Sequence, residues 1–359
     1  MVMNCRKDSP IMASQLPRSQ PPLPSALDPR RILDLNYAFT STAMLVAAVR
    51  LHLFTHMAHK VLTPAALAAL AHTAPGPTER LLKGLEALGL VEREDDAYRL
   101  TALSDHFLVE GKPEYLGGDT LAMLDYLPAW FELAQTVCAS QPYRDLGDAP
   151  TAEAFFAPRV RDLFPLVHPV AKRTAAIVFL GAHERPLHVL DVGAGSAPWS
   201  TAFAQQYPFA HVTAVDLPRV VEQGMQQVAE LAMSDRYTWL GADMETVAYP
   251  TLLYDLVILA HVCRFIGEER ARALLGKLTK SLRSGGTLIL ADVFFADDRS
   301  GPLAALTLDL SMLVNTAQGH IWTCSEVSAW LKDSGLSGVR RLDGVGPFPV
   351  LVAQKGEGI

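Results

Sequence analysis

Residues 187–200, LHVLDVGAGSAPWS, contain the turn around which the rest of the chain is organised. The apolar run LHVLDV predicts a short buried strand, GAGSAP predicts a tight turn, and WSTAFAQQYP predicts the helix that follows. Gly193 and Gly195 lack the side chains that would keep a ligand away from the backbone. The next run, HVTAVD, predicts a strand ending in Asp216, which is suited to accept hydrogen bonds from a ribose. This pattern indicates the nucleoside-binding half of a doubly wound α/β sheet.

The turn lacks one element of the dinucleotide pattern. G-x-G-x-x-G places its third glycine at position 198, where this chain has Pro198. A pyrophosphate ligand is therefore disfavoured, although the turn alone leaves a nicotinamide or flavin site open. The run D-V-G-A-G, with Asp191 leading in and Asp216 following, resembles motif I of the class I methyltransferases. That resemblance implies S-adenosylmethionine (SAM) as the cofactor.

Composition and charge exclude several classes of protein. The chain has 359 residues, of which 50% are hydrophobic and 19% charged, as expected for a compact enzyme of about two domains. Its formal net charge of -7 and the absence of a basic block argue against nucleic acid as the main partner. The four cysteines are too scattered for a zinc pattern and favour a reduced, cytoplasmic setting. No charge-free apolar run approaches the roughly 20 residues of a membrane span, so no membrane association is expected.

Three segments follow from the pattern of residues. Residues 1–29 are rich in proline and polar residues and are predicted to form a disordered leader. Residues 30–180 are predicted to form a mainly helical winged-helix domain for dimerisation, which also serves as a substrate lid. Residues 181–359 alternate strands and helices and are predicted to form the SAM-binding, Rossmann-like catalytic domain.

The winged-helix pattern lies between positions 62 and 101. The preceding run, ILDLNYAFTSTAMLVAAVRLHLFTHMA, is apolar around most of a helix and requires burial against a partner subunit or between domains. The segment then indicates a helix, a turn, a second helix and a short strand pair. The wing carries Glu92, Glu94, Asp95 and Asp96 against Arg93, so DNA phosphates would repel it. A ligand-responsive regulator that binds DNA is therefore a weaker alternative than dimerisation.

The C-terminal part alternates regularly between strands and helices. Strands are predicted at HVLDV, HVTAVD, YTWLGA, YDLVILA, TLILADVFF, VRRLD and FPVLVAQK. Helices are predicted at 199–206, 218–232, 268–282, 303–315 and 324–334. The last two strands read as an antiparallel hairpin at the edge of an otherwise parallel sheet.

Ordered landmarks now identify a family resemblance over about residues 31–355. They are D191-V-G-A-G195, Asp216, G241-A-D243-M244, the strand at 254–260, L282-R-S-G-G286 and the C-terminal hairpin. In this order they resemble the small-molecule O-methyltransferases that join a winged-helix dimerisation domain to a class I domain. Plant phenolic and acetylserotonin methyltransferases and bacterial natural-product tailoring enzymes belong to that group. The resemblance implies a homodimer and a small aromatic or polyketide-like acceptor.

The resemblance also implies positions for the cofactor. Gly193 would face the methionine end of SAM, and Asp216 followed by Leu217 would hold the ribose. Asp243 and Met244 would hold the adenine, Asp243 by accepting a hydrogen bond from its exocyclic amine. Trp199 departs from the small residue usual after this turn and either packs on the ligand or braces the helix.

The catalytic set of the family is incomplete in this chain. The family's basic histidine aligns with Arg264, while His261 lies one helical turn earlier. The first orienting glutamate aligns with Asp292 and the second with Ile321. His261 could be a displaced general base, Arg264 could pair with an acidic or enolate substrate, or both could be structural. A SAM-dependent reaction other than methylation, such as a rearrangement, elimination, hydroxylation or decarboxylation, is the main alternative function.

Candidate substrate contacts lie before the turn and after the fifth strand. Phe156 and His168, just ahead of the glycine turn, are candidates for an apolar substrate wall. Because the resembling family lines its pocket after the fifth strand, contacts are also expected from Met312, Asn315, His320 and Trp322. The spacing of His168, His261, Asp292 and His320 matches no ligand pattern, so no metal is expected.

Overall fold

A computed structural model describes residues 28–178, 180 and 186–356. Nearly all of the predicted leader, residues 1–27, lies outside this part of the chain. The chain divides into two compact units, one ending at Glu110 and one beginning at Gly111. This division differs from the predicted boundary at 180/181. Ala171 and Ala175 lie in the same hydrophobic core as the sheet residues Val189 and Val212, so the helices after Gly111 belong to the sheet unit.

The first unit is helical with one hairpin. It consists of α1 Arg30–Arg50, α2 Leu53–Met57, α3 Pro64–Leu70, α4 Pro75–Ala87, β1 Val91–Glu94, β2 Ala97–Leu100 and α5 Ala102–Phe107. The Thr63 hydroxyl accepts the Ala66 N–H and so caps α3, which begins with Pro64. Phe54, Leu67, Leu82 and Tyr98 are among its fully buried side chains. The helix, turn, helix and hairpin predicted for a winged helix are all present.

Helix α1 limits one argument from the sequence. An 18-residue window of this helix reaches a mean hydropathy of 1.4 and is 17% buried, so α1 is long and apolar enough to cross a membrane. The sequence argument considered only charge-free runs, which in this helix extend no further than residues 35–49, and so did not cover a window that includes charged residues. Ile32, Leu35, Tyr37 and Phe39 are each more than half exposed. This apolar surface is also what a dimerisation helix requires.

The second unit is an α/β domain. Its helices are α6 Gly117–Ala122, α7 Leu127–Phe131, α8 Leu133–Ala139, α9 Ala149–Phe156, α10 Phe164–Ile177, α11 Pro198–Gln206, α12 Pro218–Glu230, α13 Cys263–Ser281, α14 Leu303–Asn315 and α15 Cys324–Asp333. Short 3-10 helices cover Met123–Tyr126, Val160–Leu163 and Ser234–Arg236. Its strands are β3 His188–Val192, β4 His211–Asp216, β5 Tyr237–Gly241, β6 Tyr254–Ala260, β7 Leu282–Ala291, β8 Phe294–Phe295, β9 Trp322–Thr323, β10 Leu336–Leu342 and β11 Val350–Lys355.

Seven of these strands form one mixed sheet in the order β10-β11-β7-β6-β3-β4-β5. Strands β3 to β7 are parallel, while β11 is antiparallel to both β7 and β10, as the hairpin pattern predicts. The strand order reverses at β3, because β4 and β5 lie on one side of it and β6 and β7 on the other. A ligand crevice is expected at such a switch point, beyond the carboxyl ends of the strands.

Both faces of the sheet are covered by helices. Leu256 and Ile258 of β6 pack with Phe203 of α11 on one face. Val257 and Leu259, the alternate residues of the same strand, pack with Leu274 of α13 on the other. This alternation places all seven residues of β6 in the interior. The central strands therefore hold the residues that follow them in fixed positions.

Two elements differ in detail from the sequence prediction. The helix predicted at 268–282 begins at Cys263, and its chain is broken by Gly267, which has φ 76° and ψ 170°. The predicted strand 287–295 is divided into β7, which begins at Leu282, and the short β8. The segment between β6 and Gly267 is thus a separate helical turn, and it carries the candidate catalytic residues.

Candidate active site

A cavity of about 210 Å³ lies at the carboxyl ends of β3 to β6. Its wall is formed by the turn after β3, the ends of β4, β5 and β6, and the start of α13. Residues of α9, α10 and the loop before α9 form the opposite wall. The cavity therefore occupies the switch point of the sheet, where the predicted cofactor and catalytic residues converge.

The glycine turn forms the floor of the cavity. Gly193 and Gly195 have φ of 66° and 58°, a left-handed conformation that other residues adopt only with strain. A Cβ added at Gly193 would lie 2.5 Å from Cγ2 of Val262. The Gly193 and Ala194 N–H groups donate to the carbonyl of Val215 at 2.9 and 3.1 Å, which ties the turn to β4. Glycine is thus required at position 193 by both backbone conformation and space.

Asp216 and Asp243 follow neighbouring parallel strands. Asp216, the last residue of β4, is paired in register with Gly241, the last residue of β5. Asp243 comes two residues after Gly241, so it lies beside Asp216 at the same edge of the sheet. The Asp216 carboxylate accepts the Gly195 N–H and the Leu217 N–H, each at 2.7 Å. Burial raises the pKa of Asp216 to about 6, against the effect of these two donors. Asp243 accepts the Glu245 N–H at 2.8 Å.

These groups suit a nucleoside with a cationic sulfur and no phosphate. Asp216, Leu217, Asp243 and Met244 all line the cavity, and each carboxylate has acceptor capacity left for hydroxyl or amine donors. The turn itself, residues 193–199, contains no lysine or arginine. A bound SAM would be held by these residues, with Gly193 and Gly195 giving it access to the backbone.

Asp191 has a different position from the other cofactor candidates. It is 2% exposed, is absent from the cavity wall, and accepts the Ser200 N–H at 3.3 Å. Burial raises its pKa to about 7. The side chain therefore joins β3 to the first turn of α11, and any effect on a ligand passes through the position of the glycine turn.

One ion pair at the cavity was not anticipated from the sequence. The Arg270 guanidinium donates to both carboxylate oxygens of Glu245, and its Nη2 donates to the Gly147 carbonyl at 3.0 Å. This pair links α13, the loop after β5 and the loop before α9. All three residues line the cavity beside Asp243. No sequence pattern connects Arg270 with Glu245 or Gly147.

His261, Arg264 and Asp292 form a connected cluster. His261 and Asp292 follow Ala260 and Ala291, which are paired in register on β6 and β7. Arg264 Nη1 donates to Oδ1 of Asp292 at 2.6 Å and lies 3.2 Å from Nδ1 of His261. His261 and Arg264 line the cavity, whereas Asp292 lies behind them and is 5% exposed. His261 has a φ of 62° and donates its N–H to the Ala291 carbonyl at 2.7 Å.

The apolar wall comes mainly from residues before the turn. Phe156 lines the cavity, and its ring meets that of Phe265 edge to face at 5.4 Å between centroids. Leu146, Leu163 and Val167 extend this wall. Phe156 was expected from the sequence, but Phe265 was not, because the kink at Gly267 that directs this turn is not evident from the sequence pattern.

The other five candidate substrate contacts lie outside this cavity wall. Nδ1 of His168 contacts the Pro198 carbonyl at 2.9 Å and its ring stacks on Phe164, so it braces the start of α11. Met312 and Asn315 are buried on the inner face of α14. His320 is held between Asp309 and Arg299, and Trp322 packs edge to face on Trp330. Oδ1 of Asn315 and Nε1 of Trp322 are buried without a hydrogen-bond partner among the described residues.

Two further placements follow from the described part of the chain. No three His, Cys, Asp or Glu side chains there lie close enough to hold a metal ion, so His168, His261, Asp292 and His320 do not converge. Trp199 lines the cavity at 3% exposure, and its Nε1 has no hydrogen-bond partner among the described residues. Its ring centroid is 6.3 Å from that of His261.

Similarity to known proteins agrees with this architecture. Residues 33–110 match the O-methyltransferase dimerisation domain, and residues 175–337 match the O-methyltransferase domain. The 3-hydroxy-5-methyl-1-naphthoate 3-O-methyltransferase of Streptomyces sahachiroi is 30% identical over 88% of this chain and 92% of its own length. The tetracenomycin polyketide synthesis 8-O-methyl transferase of Streptomyces glaucescens is 28% identical over 91% of this chain and 97% of its own. Human N-acetylserotonin methyltransferase in complex with SAM has the same fold, with a TM-score of 0.78 at 24% identity over 93% of this chain and 100% of that one.

Proposed function

This chain belongs to the SAM-dependent O-methyltransferase family that carries an N-terminal dimerisation domain, and from that premise we propose that it methylates a small aromatic or polyketide-like metabolite on oxygen. The observation that carries the proposal is the single cavity that combines a glycine turn, two acceptor carboxylates and an aromatic wall. Relatives that act on a naphthoate and on a polyketide support a fused or substituted aromatic ring as the acceptor.

Roles for the cavity residues follow from their chemistry. SAM supplies a methyl group that is already activated by a positive sulfur, so the protein mainly aligns the reactants and excludes water. Asp216 would receive the ribose hydroxyls, Asp243 the adenine amine, and Met244 the face of the adenine ring. Phe156 and Phe265 would hold a planar acceptor by edge and face contacts.

A non-methylating reaction is the second candidate. It is favoured by the replacement of the family's basic histidine by Arg264, since the usual proton acceptor is missing from that position. Methylation of a ring carbon is also compatible with such a site, because an electron-rich carbon needs no base before it is attacked.

The deciding experiment uses SAM labelled in its methyl group and a panel of hydroxylated naphthoates and anthraquinones. We expect label in the product and a matching amount of S-adenosylhomocysteine. SAM-dependent consumption of an acceptor without label in the product would select the second candidate. Label on carbon, located by NMR, would replace O-methylation by C-methylation.

The proposed assembly is a homodimer formed by the first unit. The match of residues 33–110 to a dimerisation domain and the exposed apolar residues of α1 support it. Light scattering coupled to size exclusion should give twice the mass of 39.0 kDa; a monomer at micromolar concentration would contradict this. A cytoplasmic location and the absence of membrane or nucleic-acid partners stay predictions. Glu92 and Glu94 on the wing pair with Arg99, which leaves few cations for DNA.

A further inference from the structure

The protonation state of His261 can be assigned from its neighbour. Arginine is always charged and has only donors, so the Arg264 Nη1 that lies 3.2 Å from Nδ1 of His261 must donate to it. Nδ1 is therefore the acceptor of a neutral ring, and the ring proton is on Nε2. The second hydrogen of Nη1 is used by Asp292 at 2.6 Å. This arrangement makes His261 a hydrogen-bond donor through Nε2.

The surroundings of His261 oppose its protonation. Burial is the main cause that lowers the pKa of His261 to about 4, and the adjacent Arg264 charge acts in the same direction. Asp292, the other charged group near it, raises the pKa and is outweighed because it is paired with Arg264. The lowered pKa makes the neutral ring a weak base toward an acceptor hydroxyl near neutral pH. A general-base role, which requires a pKa near the working pH, does not fit this site.

Unused donors are present at the same end of the cavity. Arg264 and Trp199 both line the cavity, and Nε of the first and Nε1 of the second are buried without a hydrogen-bond partner in the described chain. These two nitrogen atoms are themselves closed off from solvent, so what Arg264 offers a ligand is the positive charge of its guanidinium, which lines the cavity beside His261. The neighbouring wall residues Val262, Phe265 and Ile266 offer no carboxylate. This end of the cavity thus has hydrogen-bond donors but no side-chain base.

From this arrangement we propose that the acceptor reacts as an oxyanion, an acidic phenol or enol conjugated to a carbonyl, held by the guanidinium of Arg264 and by Nε2–H of His261. The inference rests on the proposed function and names its substrate class. The hydroxyl proton is lost to water before or during binding. An oxygen lone pair then forms the O–CH₃ bond while the S–CH₃ bond breaks, and the electron pair of that bond stays on sulfur. No proton is transferred to the protein, and Asp292 acts as a positioning residue for Arg264.

The test uses 4-nitrophenol, whose absorbance distinguishes phenol from phenolate, with S-adenosylhomocysteine present and no methyl donor. We expect the pKa of bound 4-nitrophenol to fall by one unit or more, which is a tenfold preference for the anion. The neutral analogue 4-nitroanisole should bind more weakly. The preference should disappear in Arg264→Met and be reduced in Arg264→Lys, which keeps a charge for Asp292 but lacks the planar guanidinium. Arg272→Met is the matched control, because Arg272 lies in α13 beyond the break at Gly267, outside the cavity wall, and is paired with Glu268 and Asp333.

Binding of S-adenosylhomocysteine to each variant, measured by calorimetry, separates this inference from the proposed function. If neither S-adenosylhomocysteine binding nor transfer of labelled methyl is found, the proposed function fails. Three results overturn the inference while S-adenosylhomocysteine still binds. In the first, 4-nitrophenol binds as the neutral phenol; in the second, it does not bind at all. In the third, the preference for its anion persists in both Arg264 variants. His261→Gln retains an N–H donor without a basic ring, so it should keep at least a tenth of the wild-type methylation rate with an unchanged pH profile; loss of a pH-dependent limb would also contradict the proposal.

Discussion

The two ends of the cavity lie on opposite sides of β3 and are built in different ways. At the end formed by β4 and β5, main-chain N–H groups position both carboxylates. Asp216 accepts the N–H of Gly195, 21 positions away, and Asp243 accepts the N–H of Glu245, 2 positions away. At the end formed by β6 and the start of α13, the side chains of His261, Arg264 and Asp292 position one another, and Arg264 and Asp292 are 28 positions apart. The first end depends on local backbone geometry, while the second depends on a side-chain network.

This difference separates the two parts of the reaction. The backbone-built end presents acceptors, which suit the hydroxyl and amine donors of a nucleoside. The side-chain end presents donors, which suit an acceptor substrate that carries negative charge. Substitutions at the first end are therefore expected to change cofactor affinity, and substitutions at the second end to change which acceptors react.

The largest effect on the cofactor end is expected from Gly193→Ala. The new Cβ would lie 2.5 Å from Val262 Cγ2, and φ at this position is 66°. The left-handed conformation alone costs about 1–2 kcal/mol for a residue with a side chain, so S-adenosylhomocysteine affinity should fall at least tenfold by calorimetry. Gly276→Ala is the control, because Gly276 lies in α13 with no heavy atom within 4 Å of the added Cβ. Unchanged affinity in Gly193→Ala would break the claim that this end depends on backbone geometry.

An intermediate effect is expected from Asp216→Asn, together with a change in pH dependence. Because burial raises the pKa of Asp216 to about 6, the carboxylate is protonated as the pH falls through that value and loses acceptor capacity. Wild-type affinity for S-adenosylhomocysteine should be full above pH 7 and weaken below pH 6. The variant should be weaker by about 1 kcal/mol at pH 7.5 and lose that pH dependence. Asp235→Asn, at an exposed position, should behave as wild type; a pH profile shared by Asp216→Asn and wild type would assign the titration to another group.

The smallest effect is expected from Phe156→Ala on the apolar wall. Loss of the edge-to-face contact with Phe265 should raise KM for an aromatic acceptor several-fold, because such pairs contribute about 0.5–1.5 kcal/mol beyond buried area. Cofactor affinity and kcat should change little. Phe209→Ala, whose side chain is 74% exposed, is the matched control. A loss of S-adenosylhomocysteine affinity as large as that of Asp216→Asn would show that the two ends are not independent.

Most of the sheet could be predicted from the sequence because buried parallel strands have a simple signature. YDLVILA and HVTAVD are apolar runs bounded by turn residues, and both coincide with observed strands. The helix before Gly267 could not be predicted, because its turn is directed by a glycine with φ 76° inside a helical pattern. The compact unit that starts at Gly111 was also missed, since short helices show their packing partner only in three dimensions.

The residues of the candidate site could also be predicted only in part from the sequence. Gly193, Asp216 and Asp243 were placed from local motifs, since each follows directly from the end of a strand. The role of His261 could not be decided, because its tautomer depends on Arg264 and its burial on the packing of α13. Met312 and Asn315 were expected in the pocket because they lie on the right helix, but helix position alone does not specify which face meets the ligand.

The central claim is that the acceptor end contains a neutral donor rather than a base, and the ¹⁵N chemical shifts of the His261 ring test it most directly. His261→Gln provides the assignment. We predict shifts of the neutral Nε2–H tautomer from pH 8 to pH 5, with protonation centred at about 4. A ring that carries its proton on Nδ1, or one that titrates near the ordinary histidine pKa of about 6.5, would contradict the claim and restore His261 as a general base.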